Sequence, residues 1–300
     1  MITAYNADYT VDYSAIREIA AYYLEKGCDG VFSVCQSSEM FYLSLDERVK
    51  IASTVVEVFK KAGKNVVVSG HISDSFESQV YELTAMSETG ADSVVLISNK
   101  LDIMNEGDEE WIKNCEKLIS RLPQQVTLGI YECPHPYKRL LTDHIIDWCA
   151  DTGRFSFIKD TCCDVKMLES RLTQLSNFAK LGGRSIKLYN ANAQTLLYTL
   201  RLGAAGYSGV MANFHPELYA WLCKNPEHEK AETVASILSM AAFTESMSYP
   251  VTAKYHMNLE GIKMTELTRN PSKPVLTEYN RHIVRDMRAL ASTVYNTYCI

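Results

Sequence analysis

One arrangement recurs along this 300-residue chain: a short apolar or β-branched run, a polar loop, an amphipathic stretch of helical period, and a glycine that leads into the next run. The runs are MITAY at 1–5, GVFSV at 30–34, NVVVSG at 65–70, DSVVLIS at 92–98, QVTLGIYE at 125–132, RFSFIK at 154–159, SIKLYN at 185–190 and AGYSGVM at 205–211. Eight β-then-α units, with strands apolar enough to be covered on both faces, predict an α/β fold of the (β/α)8 TIM barrel type. An open doubly wound sheet would need a G-x-G-x-x-G turn after the first strand, and NADYTVDYS does not supply one.

The punctuation agrees with this reading. Ser44-Leu45-Asp46-Glu47 and Asp74-Ser75-Phe76-Glu77 read as capping boxes, in which a side-chain oxygen and a glutamate satisfy the free N–H groups of a helix start. In EKGCDGVF, SETGADSVV and RLGAAGYSG the glycine supplies the left-handed conformation that ends a helix. After residue 212 the pattern turns helical only, with PELYAWLCK, a run from about 228 to 248 and a last stretch from about 278 to 298. The expected organisation is a barrel over 1–222 and a C-terminal helical extension over 223–300, with the segment TRNPSKPV as a linker.

Charge and cysteine usage narrow the function classes. A formal net charge of −6 without a long Lys/Arg run argues against nucleic acid or an anionic membrane as partner, so a small molecule is expected. No stretch of about 18 uninterrupted apolar residues occurs, and MITAYNADYTVDY has no basic segment leading into an apolar one, so a cytoplasmic protein is expected. Nine cysteines without C-x-x-C spacing fit reduced thiols better than a disulfide framework or a zinc knuckle.

In a barrel of this type chemistry sits where the strands end, because the βα loops vary while the strands hold them in place. Lys159 closes the run FSFI, where partial desolvation would favour the neutral amine, a nucleophile toward a ketone. The alternative is a rim ion pair with Asp160 or a neighbouring strand's carboxylate. Tyr131 closes the preceding strand in GIYECP, within reach for moving protons at a carbinolamine; otherwise it packs against the next helix. In CQSSEM, Ser37 and Ser38 with their N–H groups suit a carboxylate, while Glu39 is expected to orient the loop. An ordinary βα turn would look the same.

Taken in order, GCDGVFSVCQSSEMFYLSLDER, VVVSGHISDSFES, LGIYECP, FSFIKDTCCD and LGAAGYSGVMAN resemble the dihydrodipicolinate synthase and N-acetylneuraminate lyase family of class I aldolases over essentially the whole chain. The resemblance implies a TIM barrel with a helical C-terminal extension, a homo-oligomer (tetramer or dimer), and a lysine Schiff base with pyruvate or a related 2-oxo acid, without an external cofactor or metal. It places Lys159 as the Schiff-base lysine and Tyr131 as the proton shuttle. Ser37 and Glu39 fall on the family's G-[TS]-[TS]-G-E loop, where Gln36 stands for a hydroxyl residue and Cys35 and Ser38 replace the two glycines. Pro136 stands where dihydrodipicolinate synthases bring an arginine for the aldehyde's carboxylate, with Lys138 and Arg139 as the nearby cations. ISNKLD lacks their relay tyrosine. These departures favour a polyhydroxylated partner, a 2-keto-3-deoxy sugar acid or a sialic-acid-like substrate, read by His135, Asn190, Asn192, Ser208 and Asn213. Dihydrodipicolinate synthase activity and a non-catalytic 2-oxo acid binder are the alternatives.

Two further readings are weaker. A metal-dependent enzyme would need a His/carboxylate cluster at strand ends, where only His71 and His135 stand. Cys35, Cys133, Cys162 and Cys163 also follow strands and could form a thiol site.

Overall fold

The computed structural model describes residues 1–272 and 274–299. The chain forms two compact units, Met1–Val66 together with the segment from Gly209 onward, and Val67–Ser208. It is an α/β protein whose parallel strands number seven among the described residues: β1 (Gly30–Ser33), β2 (Asn65–Ser69), β3 (Ser93–Ile97), β4 (Leu128–Tyr131), β5 (Phe155–Asp160), β6 (Lys187–Asn190) and β7 (Gly206–Tyr207).

The second unit carries β2 from Val67 on and β3 to β7, paired in chain order. Between them run α3 (Phe76–Ser87), α4 (Asp108–Ile119), α5 (Asp143–Asp151), α6 (Val165–Lys180) and α7 (Leu196–Arg201). A strand flanked by parallel neighbours and covered by helices must be apolar on both faces. Val94, Val95, Leu96 and Ile97 of β3 are accordingly all buried.

The first unit holds α1 (Tyr13–Glu25), β1, the start of β2 and α2 (Leu45–Lys61), joined by α8 (Pro216–Lys224), α9 (Ala231–Ala241), α10 (Val251–Leu259) and α11 (Glu278–Tyr298). Ser44 and Glu47 form the expected reciprocal cap at the start of α2. At α3 the cap is Ser75, which accepts from the Ser78 N–H, while Asp74 pairs with Lys100 instead of closing a box. Gly27, Gly90 and Gly203 take the positive φ expected of helix ends.

Seven strands rather than eight follow from the N-terminus. MITAY forms no named strand, only an isolated bridge from Tyr5 to Val11. The Met1 ammonium donates to Phe32 O, and the Ser38 and Thr3 hydroxyls take up Met1 O and Ser38 O, so side chains of the 35–39 turn replace a ladder. AGYSGVM likewise shortens to two strand residues before a 3-10 turn at Val210–Asn213. The expected 228–248 helix ends at Ala241, and α10 follows the left-handed Ser248 and Pro250, which cannot donate a helical hydrogen bond.

Candidate active site

β4 and β5 bring the two strongest sequence candidates together. Their register pairs Tyr131 with Lys159, and Lys159 in turn pairs with Tyr189 on β6. Alternation along a strand then sends Tyr131 and Lys159 to the same face of the sheet. The Lys159 ammonium lies 4.5 Å from the centre of the Tyr131 ring, and both residues are buried. Phe157 shares that face and packs on Tyr189 at 5.0 Å between ring centres, so the amine sits among rings rather than in open water.

Close approach of the two strands depends on Gly129. A Cβ there would come within 2.9 Å of the Phe157 ring and 3.1 Å of its carbonyl, directly before the Tyr131–Lys159 pair. A side chain at that point would require the Phe157 ring to shift and the β4–β5 spacing to give by a few tenths of an ångström.

On the opposite face the next residues of the same strands build an ion cluster that sequence reasoning missed. Glu132 and Asp160 both engage Arg171 of α6, the Glu132 pair at 2.8 Å, and all three side chains are fully buried. Arg171 also donates to Leu141 O, Glu132 accepts from the N–H groups of Leu141 and Thr161, and Asp160 accepts from the Cys162 N–H. Burial raises the Glu132 carboxyl against the pull of Arg171, and Asp160 adds to the rise. Burial works against charge on Arg171, but its two carboxylate partners overcome that and raise its pKa. Asp160, the alternative rim partner for Lys159, is thus committed to Arg171 on the other face. The available signal was the strand alternation itself, which puts a carboxylate directly after Tyr131 and after Lys159, each facing the helices.

The remaining strand-end candidates of the second unit are placed as follows. His135 is exposed in a loop that Asn99 holds by donating to the carbonyls of Cys133, His135 and Tyr137, at 2.8, 3.0 and 2.5 Å. Arg139 is occupied by Asp102 at 3.1 Å and Asp108 at 2.7 Å, and Lys138 donates to Thr161 O at 2.8 Å, just beyond β5. Asn190 is buried and donates to the Thr195 and Thr199 hydroxyls, its side-chain oxygen accepts from the Asn192 N–H, and its backbone carbonyl accepts from the Ser208 N–H. Asn192 bonds Gln194. The Ser208 hydroxyl makes no hydrogen bond among the described residues. His71 is buried and accepts from the Ile97 N–H through Nε2. Burial, aided by Asp160, pushes the Cys162 thiol up to about 12, which disfavours a thiolate nucleophile there.

In the first unit, the loop after β1 opens with Val34 at φ 51 and ends with Glu39 at φ 60, both in the left-handed region that a β-branched or long side chain rarely occupies. Such strain persists where surrounding contacts impose it. Glu39 supplies them: its carboxylate bonds Lys254 at 2.8 Å, and the Thr268 hydroxyl and Arg269 N–H at 2.7 Å each. Lys254 is fully buried and rests 4.5 Å from the Tyr5 ring centre. The sequence analysis assigned Glu39 this orienting task without its partners. Gln36 is exposed, the Ser37 side chain makes no hydrogen bond among the described residues, and the Ser38 hydroxyl accepts from the Cys35 N–H at 3.1 Å as well as donating to Met1 O. Asn213 accepts from the Tyr23 hydroxyl at 2.6 Å.

Among the described residues no group of three or more His, Cys, Asp or Glu side chains could hold a metal ion, and no helix is long and apolar enough to cross a membrane.

Comparison with known proteins gives one consistent result. The sequence profile of the dihydrodipicolinate synthetase family matches residues 1–290. The 4-hydroxy-tetrahydrodipicolinate synthase of Clostridium perfringens strain 13 is 24% identical over 267 residues, 86% of each chain. An uncharacterized DapA-like lyase of Pyrococcus abyssi is 25% identical over 280 residues, 92% of this chain and 88% of that one. Among solved structures, chloride-inhibited dihydrodipicolinate synthase of Acinetobacter baumannii complexed with pyruvate superposes with a TM-score of 0.82 at 20% identity, covering 97% of both chains. A prophage protein of the dihydrodipicolinic acid synthase family from E. coli K12, in complex with pyruvate, gives 0.83 at 19% identity and covers 98% of this chain and 96% of that one.

Proposed function

The chain belongs to the dihydrodipicolinate synthetase family of carbon–carbon lyases, and we propose that it is a class I aldolase in which Lys159 forms a Schiff base with pyruvate or a related 2-oxo acid. The observation that carries this reading is the register pairing of Tyr131 with Lys159, which sets the amine 4.5 Å from the phenol ring centre.

The neutral Lys159 amine attacks C2 of the 2-oxo acid, and the carbinolamine loses water once its hydroxyl is protonated. Tyr131 carries that proton. Loss of a proton from C3 of the iminium gives an enamine, which adds to an aldehyde carbon while the new alkoxide is protonated; hydrolysis then frees Lys159. Cleavage runs the same steps backward. No external cofactor enters, since the lysine itself is the electron sink. We assign the 2-oxo acid's carboxylate to the Gln36–Ser37–Ser38 turn, with the Ser37 hydroxyl donating and Ser38 shaping the turn through its bond to Met1 O.

For the aldehyde we favour a polyhydroxylated chain, so that the substrate is a 2-keto-3-deoxy sugar acid or a sialic-acid-like molecule, with His135, Asn190 and Ser208 as its polar contacts. Arg139 supports this choice, because Asp102 and Asp108 already occupy the guanidinium that a dicarboxylic product would need. The names of the curated relatives support dihydrodipicolinate synthesis as the second reading. We extend the proposal to a (β/α)8 barrel over 1–222, a helical extension over 223–300, and a cytoplasmic homo-oligomer.

The test is borohydride reduction in the presence of pyruvate, followed by mass spectrometry of the intact protein and peptide mapping. A reduced adduct on Lys159 is expected. An unmodified Lys159 after reduction with pyruvate and with longer 2-oxo acids would overturn the assignment.

A further inference from the structure

Of the nine cysteines in the chain one pair is adjacent, Cys162 and Cys163, in the turn between β5 and α6. Both are reduced thiols, Cys162 half-buried and Cys163 exposed. The turn is held at either end. Asp160 is fixed to Arg171, the Thr161 N–H and hydroxyl donate to Glu132 Oε2 and O at 2.8 Å each, and Asp164 caps α6 by accepting from the Met167 N–H. Between these anchors Cys163 takes φ 59, in the left-handed region that few side chains occupy.

The two sulfurs differ in setting. Cys163 Sγ lies 3.5 Å from Thr161 O, the same carbonyl that the exposed Lys138 ammonium reaches at 2.8 Å. A cation at that shared acceptor, and the positive end of α6 two residues on, favour a thiolate at Cys163. The flanking carboxylates of Asp160 and Asp164 are engaged with Arg171 and the Met167 N–H. Cys162 Sγ instead accepts from the Asp164 N–H at 3.4 Å, and burial with Asp160 beside it keeps it a thiol. Across the trans peptide that joins them the two Cα atoms are about 3.8 Å apart, closer than the roughly 4.4–6.8 Å of ordinary disulfides. A disulfide closed here is strained, and strained, exposed disulfides are the readily reduced ones.

We propose that Cys162 and Cys163 are a redox modification site, a dithiol that a small-molecule disulfide converts to a disulfide between neighbours, and that this oxidation slows the chemistry at Lys159. The Cys163 thiolate attacks one sulfur of the small disulfide, breaks its S–S bond and releases one small thiol, which takes up the proton Cys163 gave to solvent. Cys162 then attacks Cys163 Sγ in the mixed disulfide, and its proton leaves with the second small thiol, the better leaving group. Two protein thiols are oxidised, and one small disulfide is reduced to two thiols. Closing the ring takes Cys162 Sγ off the Asp164 N–H and Cys163 Sγ off Thr161 O, and so pulls on the turn that begins directly after Lys159 and Asp160. The effect on Lys159 rests on its proposed role as the Schiff-base residue.

The experiment treats the full reduced chain with glutathione disulfide, alkylates the remaining thiols under denaturing conditions and reads the tryptic peptide DTCCDVK, residues 160–166, which holds these two cysteines and no other. Loss of two hydrogens with neither cysteine alkylated is expected, reversed by dithiothreitol. Cys162→Ser is expected to stop at a mixed disulfide on Cys163, and Cys163→Ser to leave Cys162 open to alkylation. Recovery of both cysteines alkylated, or a lasting mixed disulfide in the parent chain, would overturn the proposal. In parallel, borohydride trapping of pyruvate at Lys159 is expected to slow at least tenfold in the oxidised parent and to stay unchanged in the treated Cys163→Ser chain; equal rates in oxidised and reduced parent would overturn the link to Lys159. A reduced chain that never traps pyruvate would instead overturn the Schiff-base reading, and the peptide mass would still decide the disulfide.

Discussion

Lys159 and Tyr131 stand in direct register, which makes their substitutions informative about chemistry rather than folding. Lys159→Ala is expected to abolish the borohydride-trapped adduct while a cooperative melting transition is retained, which separates loss of the nucleophile from loss of the fold. Tyr131→Phe keeps the ring that faces Lys159 and removes the hydroxyl, so kcat is expected to fall on the order of 10²–10⁴-fold with a smaller change in KM; an unchanged kcat would take the phenol out of the mechanism. A different residue-scale effect belongs to the buried histidines of the first unit. Burial lowers His215 to about 3, with the charge of His256 adding to it, and burial lowers His256 to about 4. The unfolded chain therefore takes up protons below about 6.5 that the folded chain refuses, so stability falls as the pH is lowered from there to about 4, by up to about 1.4 kcal/mol per pH unit for each histidine. Urea midpoints at pH 7 and pH 5 should show the loss, and His215→Leu should flatten it; a midpoint independent of pH would refute this account. That Tyr131 and Lys159 close adjacent strands, and that Glu39 orients its loop, could be read from the sequence because strand ends follow from apolar runs. The sequence did not disclose Arg171, which lies far from Glu132 along the chain and has no local signal, or that Asn190 is taken up by Thr195 and Thr199.

At the scale of elements, β4 and β5 are held at their C-terminal ends from the side away from the proposed chemistry. Arg171 reaches from α6 to Glu132 and Asp160, the residues following Tyr131 and Lys159, so one side chain fixes the relative height of both strand ends. Arg171→Met would leave two buried carboxylates facing each other, and a loss of about 3–5 kcal/mol is expected. If the protein still folds at low temperature, Lys159 adduct formation should slow as well, since the amine and phenol lose their common support. A triple replacement of Glu132, Asp160 and Arg171 by apolar residues of similar size should regain much of the stability without restoring the rate. Denaturant midpoints and adduct rates measured together would check this, and a rate that follows stability throughout would count against a positioning role. Most strands and helices were legible because period-2 and period-3.6 patterns are local. The N-terminal run was not, since MITAY is apolar enough for a strand yet its backbone is claimed by the hydroxyls of Thr3 and Ser38. Nor was the break between α9 and α10, where Ser248 and Pro250 act against an apolar pattern that continues through them.

At the scale of the molecule, the first unit is assembled from the two ends of the chain. Its hydrogen bonds join residues more than two hundred positions apart: Glu39 to Lys254 and Thr268, Glu47 to Arg269, and Tyr5 O to the Thr265 hydroxyl. The pattern marks a change after residue 212, because the last strand, β7, ends at Tyr207, but periodicity carries no information about which distant segments meet. A chain ending at residue 222 would keep every strand and lose Lys254, Thr268 and Arg269. Glu39 would then be a buried carboxylate with no counter-charge, and Tyr5 would lose the two cations stacked on its ring. Such a chain is expected to lack a cooperative thermal transition, with protease cleavage beginning in the 35–47 segment. The same dependence can be read without truncation. Lys254→Met in the full chain strands Glu39 and should cost about 3–5 kcal/mol, whereas Lys254→Met combined with Glu39→Gln should cost less than the single change. Because the Glu39 contacts hold the Gln36–Ser38 turn in its left-handed exit, the double variant is also expected to raise KM for the 2-oxo acid more than it lowers kcat. Steady-state kinetics on the refolded variants would decide it: a pure kcat effect would place the turn's contribution in the chemical step instead of in binding the carboxylate.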